Sequence, residues 1–173
     1  MIPFSDTDFV ILDVETTGLS PFNGDRVIEI GAVKVCGGEI TDQFHSLIDP
    51  RRTLSYAAFL VNGISSEMLK GAPTVDQVLP GFLRFIGTAA LVGHNVNFDL
   101  GFLNHEIERF GLSWRRAHPV LDTRKMARWL LPELRSYRLQ QVAYALAMED
   151  VQEHRAIGDV NMTYLVFRRF LDM

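Results

Sequence analysis

The sequence has a single cysteine and no long apolar run, and both absences narrow the kinds of protein that it can encode. Cys36 alone cannot form an internal disulfide, and there is no second cysteine with which to build a metal cluster. No apolar run approaches the roughly 20 residues that span a bilayer, and the N-terminus lacks the pattern of a secretory signal. We therefore expect a protein of the reducing cytoplasm that does not associate with membranes.

An excess of positive charge is also missing. The formal net charge is −4, whereas a domain that holds duplex DNA by bulk electrostatics is usually basic. A site built of metal-binding carboxylates is still compatible with this balance, because bound cations offset its negative charge. The basic residues form four short clusters, and each alone is interpreted as solvated surface: Arg51–Arg52, Arg115–Arg116, Arg124–Lys125 with Arg128, and Arg168–Arg169.

The apolar pattern predicts one α/β domain over residues 1–173. No repeat, low-complexity tract or linker divides the chain. Apolar runs predict five strands, the second and third joined as an antiparallel hairpin: residues 9–14, 26–35, 40–48, 89–93 and 120–122. Helices are predicted over residues 74–86, 97–110, 123–130, 139–146 and 155–171. Because strands come first and strand–helix alternation follows, we expect a mixed sheet flanked by helices.

Two acidic residues stand at the end of the first predicted strand. Asp13 and Glu15 are two positions apart, so their side chains leave the same face, with Cα atoms roughly 6.6 Å apart. Carboxylates at that spacing can share one cation or bridge two, and open α/β sheets place their ligands at strand ends. Taken alone, this short pattern favours a pair of solvated charges.

Two further acidic residues lie on predicted helices. Asp99 falls in the first turn of its helix, where a favourable interaction with the helix dipole explains it. Asp159 falls within the apolar arc of the last helix, beside Val166 and Phe170, so it should point into the protein. An ionised carboxylate there needs a hydrogen-bonding partner or a metal ion. His154, just before this helix, is close enough to share the same site.

Three motifs, spread over nearly the whole chain, carry a resemblance. They are Leu12–Leu19 (LDVETTGL) followed by Val27–Ala32 (VIEIGA), then Gly93–Asp99 (GHNVNFD), then His154-Arg155-Ala156 leading to Asp159. Together these motifs resemble the DEDDh (DnaQ-like) family of 3′→5′ exonucleases, and most closely the proofreading epsilon subunit of bacterial DNA polymerase III. The chain departs from the family pattern twice. Asn62 stands where the family commonly has histidine before Gly-Ile, and Gly158 stands where it usually has alanine.

The resemblance implies a fold and a set of site residues. The fold is ribonuclease H-like α/β, with a mixed five-stranded sheet (three antiparallel strands, then strand–helix alternation) flanked by helices. His154 would be the general base, and four carboxylates would hold two divalent cations: Asp13, Glu15, Asp99 and Asp159. The residues implied to bind substrate are Thr16, Gly18, Leu19, Asn95 and Phe98, with Leu19 as an apolar wedge. Asp122 matches the acidic residue commonly found before the late helices.

The implied activity is two-metal-ion hydrolysis of single-stranded DNA from its 3′ end, releasing nucleoside 5′-monophosphates in replication proofreading or repair. All-oxygen ligands favour Mg²⁺ or Mn²⁺ over zinc, and two cations serve both ends of an in-line displacement. The ordinary pKa of histidine suits His154 as a base. Phe22 and Phe98 are candidates for stacking on bases.

Two alternatives stay open. One is an exoribonuclease that trims RNA 3′ ends, since nothing in the sequence reports on a 2′-hydroxyl group. The other is an inactive polymerase-binding module, against which the complete set of carboxylates counts. The implied partners are the 3′ ends of single-stranded nucleic acid, with DNA favoured over RNA, and a replicative DNA polymerase.

Overall fold

The computed structural model describes residues 7–114, 117–148 and 155–173, which form a mixed sheet with helices packed on both faces. The strands are β1 (Phe9–Thr16), β2 (Val27–Cys36), β3 (Glu39–Leu47), β4 (Ala90–Gly93) and β5 (Val120–Asp122). The helices are α1 (Tyr56–Asn62), α2 (Val75–Ile86), α3 (Asn97–Arg109), α4 (Thr123–Leu130), α5 (Leu139–Ala145) and α6 (Ala156–Leu171). Residues Pro21–Asn23 form one turn of 3₁₀ helix.

The sheet has the strand order β3-β2-β1-β4-β5. The hairpin of β2 and β3 is antiparallel, and β1 is antiparallel to β2 but parallel to β4, which in turn is parallel to β5. The change from antiparallel to parallel pairing at β1 follows from the chain order, because β4 and β5 are reached through helical connections. The expected ribonuclease H-like architecture, with five strands flanked by helices, is confirmed.

Most predicted boundaries agree with the structure, with two informative differences. The first strand continues two residues beyond the prediction, to Thr16, so that Glu15 lies inside the strand as Asp13 does. Helix α1 was not predicted at all. It begins after Ser55, whose hydroxyl accepts a hydrogen bond from the Ala58 amide at 3.1 Å, and it ends at Gly63, where φ is +67°.

The two faces of β1 contribute to separate hydrophobic clusters. Val10, Leu12 and Val14 pack with α2 and α3, whereas Phe9 and Ile11 pack with α6. This alternation is the ordinary consequence of side chains pointing to opposite faces along a strand. Because it continues past Ile11, the next odd-numbered side chains also point to the α6 face. Within the described residues, no helix is long and apolar enough to cross a bilayer.

Candidate active site

The end of β1 presents two carboxylates on the face of the sheet that α6 covers. Asp13 and Glu15 follow Ile11 in the alternation, and Ile11 belongs to the cluster that packs against α6. In the neighbouring strand β2, Gly31 lies opposite Asp13 and Glu29 lies opposite Glu15. The local sequence thus places a carboxylate-bearing strand end beside a glycine and a third acidic residue.

The first turn of α6 brings another carboxylate to the same place. Oxygen atoms of Asp13, Glu15 and Asp159 lie within 4.8 Å of one another, and all three side chains are half-buried. Carboxylate oxygens are the ligands that Mg²⁺, Mn²⁺ and Ca²⁺ prefer. The donor set therefore fits a hard divalent cation.

Asp99 approaches from the free edge of β1. Strand β4 pairs only with residues 9–11 of β1, so the Val14 amide lies beyond the last paired residue. The carboxylate of Asp99, which is 3% exposed, accepts a hydrogen bond from this amide at 2.9 Å. Asp99 is outside the set whose oxygens lie within 4.8 Å of one another, but its charge acts on Asp13 and Glu15.

Burial and mutual repulsion raise the pKa values of these carboxylates. Burial raises the pKa of Asp13 well above its usual 3.8, and the charges of Asp99 and Glu15 raise it further. Burial, with repulsion from Asp159 and Glu29, raises the pKa of Glu15 to about 8. Burial raises the pKa of Asp99 to about 7, although a backbone hydrogen bond acts against the rise. The fully ionised group is therefore unfavourable unless a cation offsets its charge.

A buried ion pair fixes the start of α6. Glu29 is fully buried, and the Arg155 guanidinium donates to its two oxygens at 2.6–3.2 Å. The Ala156 amide donates to the same carboxylate at 3.2 Å, and His45 Nε2 lies 2.7 Å from it. Burial raises the pKa of Glu29, but the hydrogen bonds from Arg155, His45 and Ala156 outweigh burial and leave it below 4.5. Glu29 therefore stays ionised and anchors the helix that carries Asp159.

A glycine allows this helix to approach β2 closely. A Cβ atom added at Gly31 would lie 2.7 Å from the Ala156 carbonyl carbon and 2.9 Å from the Ile157 nitrogen. Real Cβ atoms do not approach backbone atoms this closely. Only glycine at this position lets the first turn of α6 sit against the sheet beside Asp13.

The turn after β1 carries three of the residues expected to bind substrate. The Thr16 hydroxyl donates to the Gly18 carbonyl at 2.6 Å, and the buried Asn62 side chain donates to the Thr16 carbonyl at 3.2 Å. Asp25 accepts hydrogen bonds from the Ser20 amide and the Thr17 hydroxyl. It also lies directly against Gly18, so that a side chain at this position would displace the Asp25 carboxylate.

This arrangement leaves Leu19 87% exposed at the tip of the turn. A single exposed leucine is ordinary at a protein surface, whereas exposed apolar side chains grouped on one turn can mark a ligand-binding surface. Phe22 is exposed as well, and its ring centroid lies 5.8 Å from that of His105 in an edge-to-face arrangement. Phe98 is half-buried and packs on Phe102, with ring centroids 5.1 Å apart, so it contributes to the core.

Asn95 adopts a left-handed backbone conformation, with φ of +69°, just before α3. Its amide donates to Asp122 Oδ1 at 3.0 Å, and its own side-chain oxygen accepts from the Arg124 guanidinium at 3.1 Å. Asp122 also accepts from the backbone amides of Arg124 and Lys125 and so caps α4. Asp122 thus fixes the loop that carries Asn95 rather than joining the group around Asp13.

His94 belongs to the second motif, but its contacts are structural. Its Nδ1 lies 2.9 Å from the Thr123 hydroxyl, and its Nε2 donates to the Tyr137 carbonyl at 2.8 Å. Burial lowers its pKa. Both nitrogens of the neutral His94 ring form hydrogen bonds, and these bonds connect the β4–α3 loop to the segment before α5. The expected base, His154, lies outside the described residues, as do Arg115 and Arg116.

Glu29 and Arg155 lie within the sequence motifs, but the sequence alone predicted no role for either residue. The signal that identifies them is three-dimensional, because the two residues meet only when α6 packs on β2. Asp25 was missed for a different reason. The residues around Asp25 are typical of an ordinary turn. Nothing in the sequence indicates that Asp25 accepts the hydrogen bonds that order Thr17 and Ser20.

A family model described as an exonuclease, RNase_T, matches residues 10–167. The chain belongs to this exonuclease family. Its motifs and fold are those expected of the DEDDh type, a family of nuclease enzymes. The family assignment that the motifs suggested is confirmed.

Curated relatives of this exonuclease are much longer than the chain itself. It is 45% identical to the PolC-type DNA polymerase III of Thermotoga maritima over 171 residues, which are 98% of this chain and 12% of that protein. It is 41% identical to the PolC-type DNA polymerase III of Bacillus subtilis over 165 residues, which are 95% of this chain and 11% of that protein. The exonuclease therefore corresponds to a small part of each polymerase.

Solved structures share its fold at low sequence identity. The nuclease domain of 3′hExo, a DEDDh family member bound to rAMP, has a TM-score of 0.82 at 22% identity, covering 98% of this chain and 94% of that one. Escherichia coli Exonuclease I in complex with a dT13 oligonucleotide also has a TM-score of 0.82, at 20% identity, covering 94% of this chain and 40% of that one. These likenesses establish the fold of the exonuclease.

Proposed function

We propose that residues 1–173 form a single cytoplasmic exonuclease domain that removes nucleoside 5′-monophosphates from the 3′ end of single-stranded DNA. The observation that carries the proposal is the convergence of Asp13, Glu15 and Asp159 within 4.8 Å. Repelling carboxylates with raised pKa values reduce the stability of the metal-free fold. Holding catalytic cations explains why the fold keeps such a group, because cations remove the repulsion.

The donor set assigns the residues that would hold these cations. Asp13, Glu15 and Asp159 would hold one divalent cation, and Asp13 would hold a second with Asp99 near it. We propose Mg²⁺ or Mn²⁺, because the donors are oxygens and neither cysteine nor described histidine joins the group. When bound, such cations polarise the phosphate and stabilise the attacking and departing oxygens of an in-line displacement.

The protein itself positions the strand and moves the proton. Leu19, held at the tip of the turn, packs against the terminal base, while Thr16 and Gly18 shape the turn that surrounds the terminal nucleotide. Asn95 and Phe98 lie along the next part of the strand. His154 accepts the proton of the attacking water, as a side chain whose ordinary pKa lies near neutrality.

A role in proofreading fits the curated relatives, which are replicative polymerases. We propose that this domain works with a replicative DNA polymerase and that DNA, rather than RNA, is its substrate. Co-precipitation of the chain with a replicative polymerase tests the partnership. Failure to detect a complex at micromolar concentrations, while the nuclease is active, argues for a free-standing repair enzyme.

End-labelled oligonucleotides test the activity. Single-stranded DNA and RNA of one sequence, labelled at the 5′ end, are digested with Mg²⁺, with Mn²⁺ or with EDTA. We expect a ladder of labelled products that shortens by single nucleotides on DNA, faster than on RNA, and that EDTA abolishes. Asp13→Asn, which removes a charge from the centre of the acidic group, serves as the inactive control.

Each alternative has its own outcome in this assay. Faster digestion of RNA identifies a trimming exoribonuclease. Release of the labelled nucleotide as the first product contradicts the 3′→5′ direction. Identical, negligible rates for the wild-type chain and Asp13→Asn on every polymer leave only the inactive polymerase-binding module.

A further inference from the structure

Helix α4 presents a basic, aromatic face to solvent. Thr123 and Ala127 are buried on its inner side. At about 100° per residue, the exposed side chains of Lys125, Arg128 and Trp129 fall in one sector of the opposite side. The half-buried Arg124 lies at the flank of this sector. The helix therefore separates a core-facing stripe from a face that carries three positive charges and a tryptophan.

The positive charge of this face continues into the loop after the helix. Residues 123–138 hold five of the 17 basic residues of the chain and one of its 21 acidic residues, a local charge of +4 in a chain of net charge −4. Arg135 and Arg138 are exposed. Across residues 7–114, 117–148 and 155–173, none of these five basic side chains forms a salt bridge. The interpretation of Arg124, Lys125 and Arg128 as ordinary solvated surface does not account for this local concentration of positive charge.

Trp129 gives the face a second property. Its side chain is 88% exposed, although tryptophan has more apolar surface to bury than any other residue. Next to it, the Arg128 guanidinium lies 5.8 Å from the centre of the Tyr137 ring. Exposed rings interleaved with cations are the combination by which proteins bind single strands, since bases stack on rings while phosphates contact the cations.

The α4 face also begins at the candidate active site. The Arg124 guanidinium donates to the Asn95 side chain at 3.1 Å, and Asn95 lies two residues before the helix that carries Asp99. Asp122 connects the same loop to the first turn of α4. The α4 face therefore adjoins Asn95, which is one of the residues proposed to lie along the bound strand.

We propose that the face formed by Arg124, Lys125, Arg128 and Trp129 binds the single strand on the 5′ side of the nucleotide being removed. Lys125 and Arg128 contact phosphates, and Trp129 stacks on a base. The inference rests on the proposed exonuclease function and deepens it, because it assigns the path of the substrate outside the reaction centre. It predicts that affinity grows with strand length beyond the terminal nucleotides.

Binding in EDTA tests this path without requiring catalysis. Fluorescence anisotropy measures the Kd of labelled oligo-dT of 3 and 15 nucleotides over a range of salt concentrations. In the double variant Lys125→Gln/Arg128→Gln, we expect a Kd for the 15-mer at least about tenfold higher and a salt slope lower by about 1.4, or about 0.7 per lost phosphate contact. Trp129→Ala should also raise that Kd about tenfold, and Trp129→Phe should restore most of the affinity. Binding of the 3-mer should change little.

The matched control is Arg84→Gln/Arg169→Gln, which removes two exposed charges from α2 and α6. It should keep the wild-type Kd and salt slope. Equal losses in the control and the α4 variants, or wild-type affinity for the 15-mer in both α4 variants, would overturn the proposal and leave the face to a protein partner. If nucleotide release is absent with every cation while the α4 variants still weaken 15-mer binding, the proposed nuclease activity fails but the binding path stands.

Discussion

The carboxylates of the candidate site repel one another in the metal-free fold and so reduce its stability. In the metal-free fold, the pKa of Glu15 is about 8 instead of 4.5, so folding takes up a proton at neutral pH. The stability that protonated Glu15 provides is complete below pH 4.5 and is lost as the pH rises through 8. A residue that only supported the fold would not bring such a cost.

We predict that Glu15→Gln stabilises the metal-free protein at pH 8 and removes its nuclease activity. Each unit of pKa shift corresponds to about 1.4 kcal/mol, and water around the half-buried side chain reduces the gain to the order of 1–2 kcal/mol. Urea denaturation in EDTA at pH 5 and pH 8 measures the effect. If the variant is less stable than the wild type at pH 8, repulsion does not dominate this site.

His154 is predicted to act in proton transfer and not in metal binding. His154→Ala should lower kcat roughly 10²–10⁴-fold, while the affinity for Mn²⁺, measured by calorimetry, stays close to that of the wild type. The variant should also lose the acidic limb of the pH–rate profile. An unchanged kcat would remove His154 from the mechanism.

Glu29 acts through the helix that it anchors. We predict that Glu29→Gln destabilises the protein by about 1.5–3 kcal/mol, since it removes the charged acceptor of the hydrogen bonds that the Arg155 guanidinium and the Ala156 amide donate. Because the pKa of Glu29 is lowered, its stabilising contribution disappears as the pH falls below 4.5, opposite in sign to that of Glu15. Denaturation of both variants between pH 3 and pH 8 separates the two effects.

At the scale of single residues, sequence motifs located the acidic group but could not explain it. Strand periodicity placed Asp13 and Glu15 on one face, but only the resemblance to the exonuclease family implied that they bind metal. The inward position of Asp159 followed from its place in an apolar arc. The contribution of Glu29 could not be derived, because its contact with Arg155 joins residues 126 positions apart in the sequence. Such a contact depends on packing that periodicity does not encode.

At the scale of secondary structure elements, the site depends on how closely α6 approaches β2. Gly31→Ala would place a methyl group 2.7–2.9 Å from the backbone of Ala156 and Ile157, so the first turn of α6 must move. We predict loss of most activity and a destabilisation of about 1–3 kcal/mol. Nuclease assays and thermal unfolding of the purified variant measure both.

Gly101→Ala is the matched control for that substitution. Gly101 is exposed in α3, and nothing lies within 4 Å of an added Cβ atom. We expect it to raise the stability by about 0.5–1 kcal/mol, as alanine does in helix interiors. Equal destabilisation by both substitutions would show that the approach of α6 to β2 is not what Gly31 provides.

Elements with clear periodicity were predicted, and the helix without it was missed. Helix α2 has a buried stripe and begins at Val75, one residue after its predicted start. Helix α1 is a run of consecutive apolar residues, of which Tyr56, Leu60 and Val61 are exposed. Since no amphipathic stripe distinguishes α1, its helical state follows from its Ser55 and Gly63 caps and from the contact between Asn62 and Thr16.

At the scale of the whole molecule, the topology assembles the site from distant parts of the chain. Three elements contribute acidic residues to the site: β1 carries Asp13 and Glu15, α3 carries Asp99, and α6 carries Asp159. Because β4 pairs only with residues 9–11 of β1, the Val14 amide is left open to donate its hydrogen bond to Asp99. Helix α4 is connected to the loop before α3 by the hydrogen bond from Arg124 to Asn95, and the proposed substrate path leaves the reaction centre along this connection.

The convergence of these carboxylates on bound cations is tested most directly by diffraction from crystals soaked in Mn²⁺. An anomalous difference map is predicted to show manganese between the side chains of Asp13, Glu15 and Asp159, with Asp99 close by. Soaked crystals of Asp13→Asn should show weaker or absent peaks. Strong manganese peaks elsewhere on the protein, with none at this group at millimolar Mn²⁺, would contradict the proposed function.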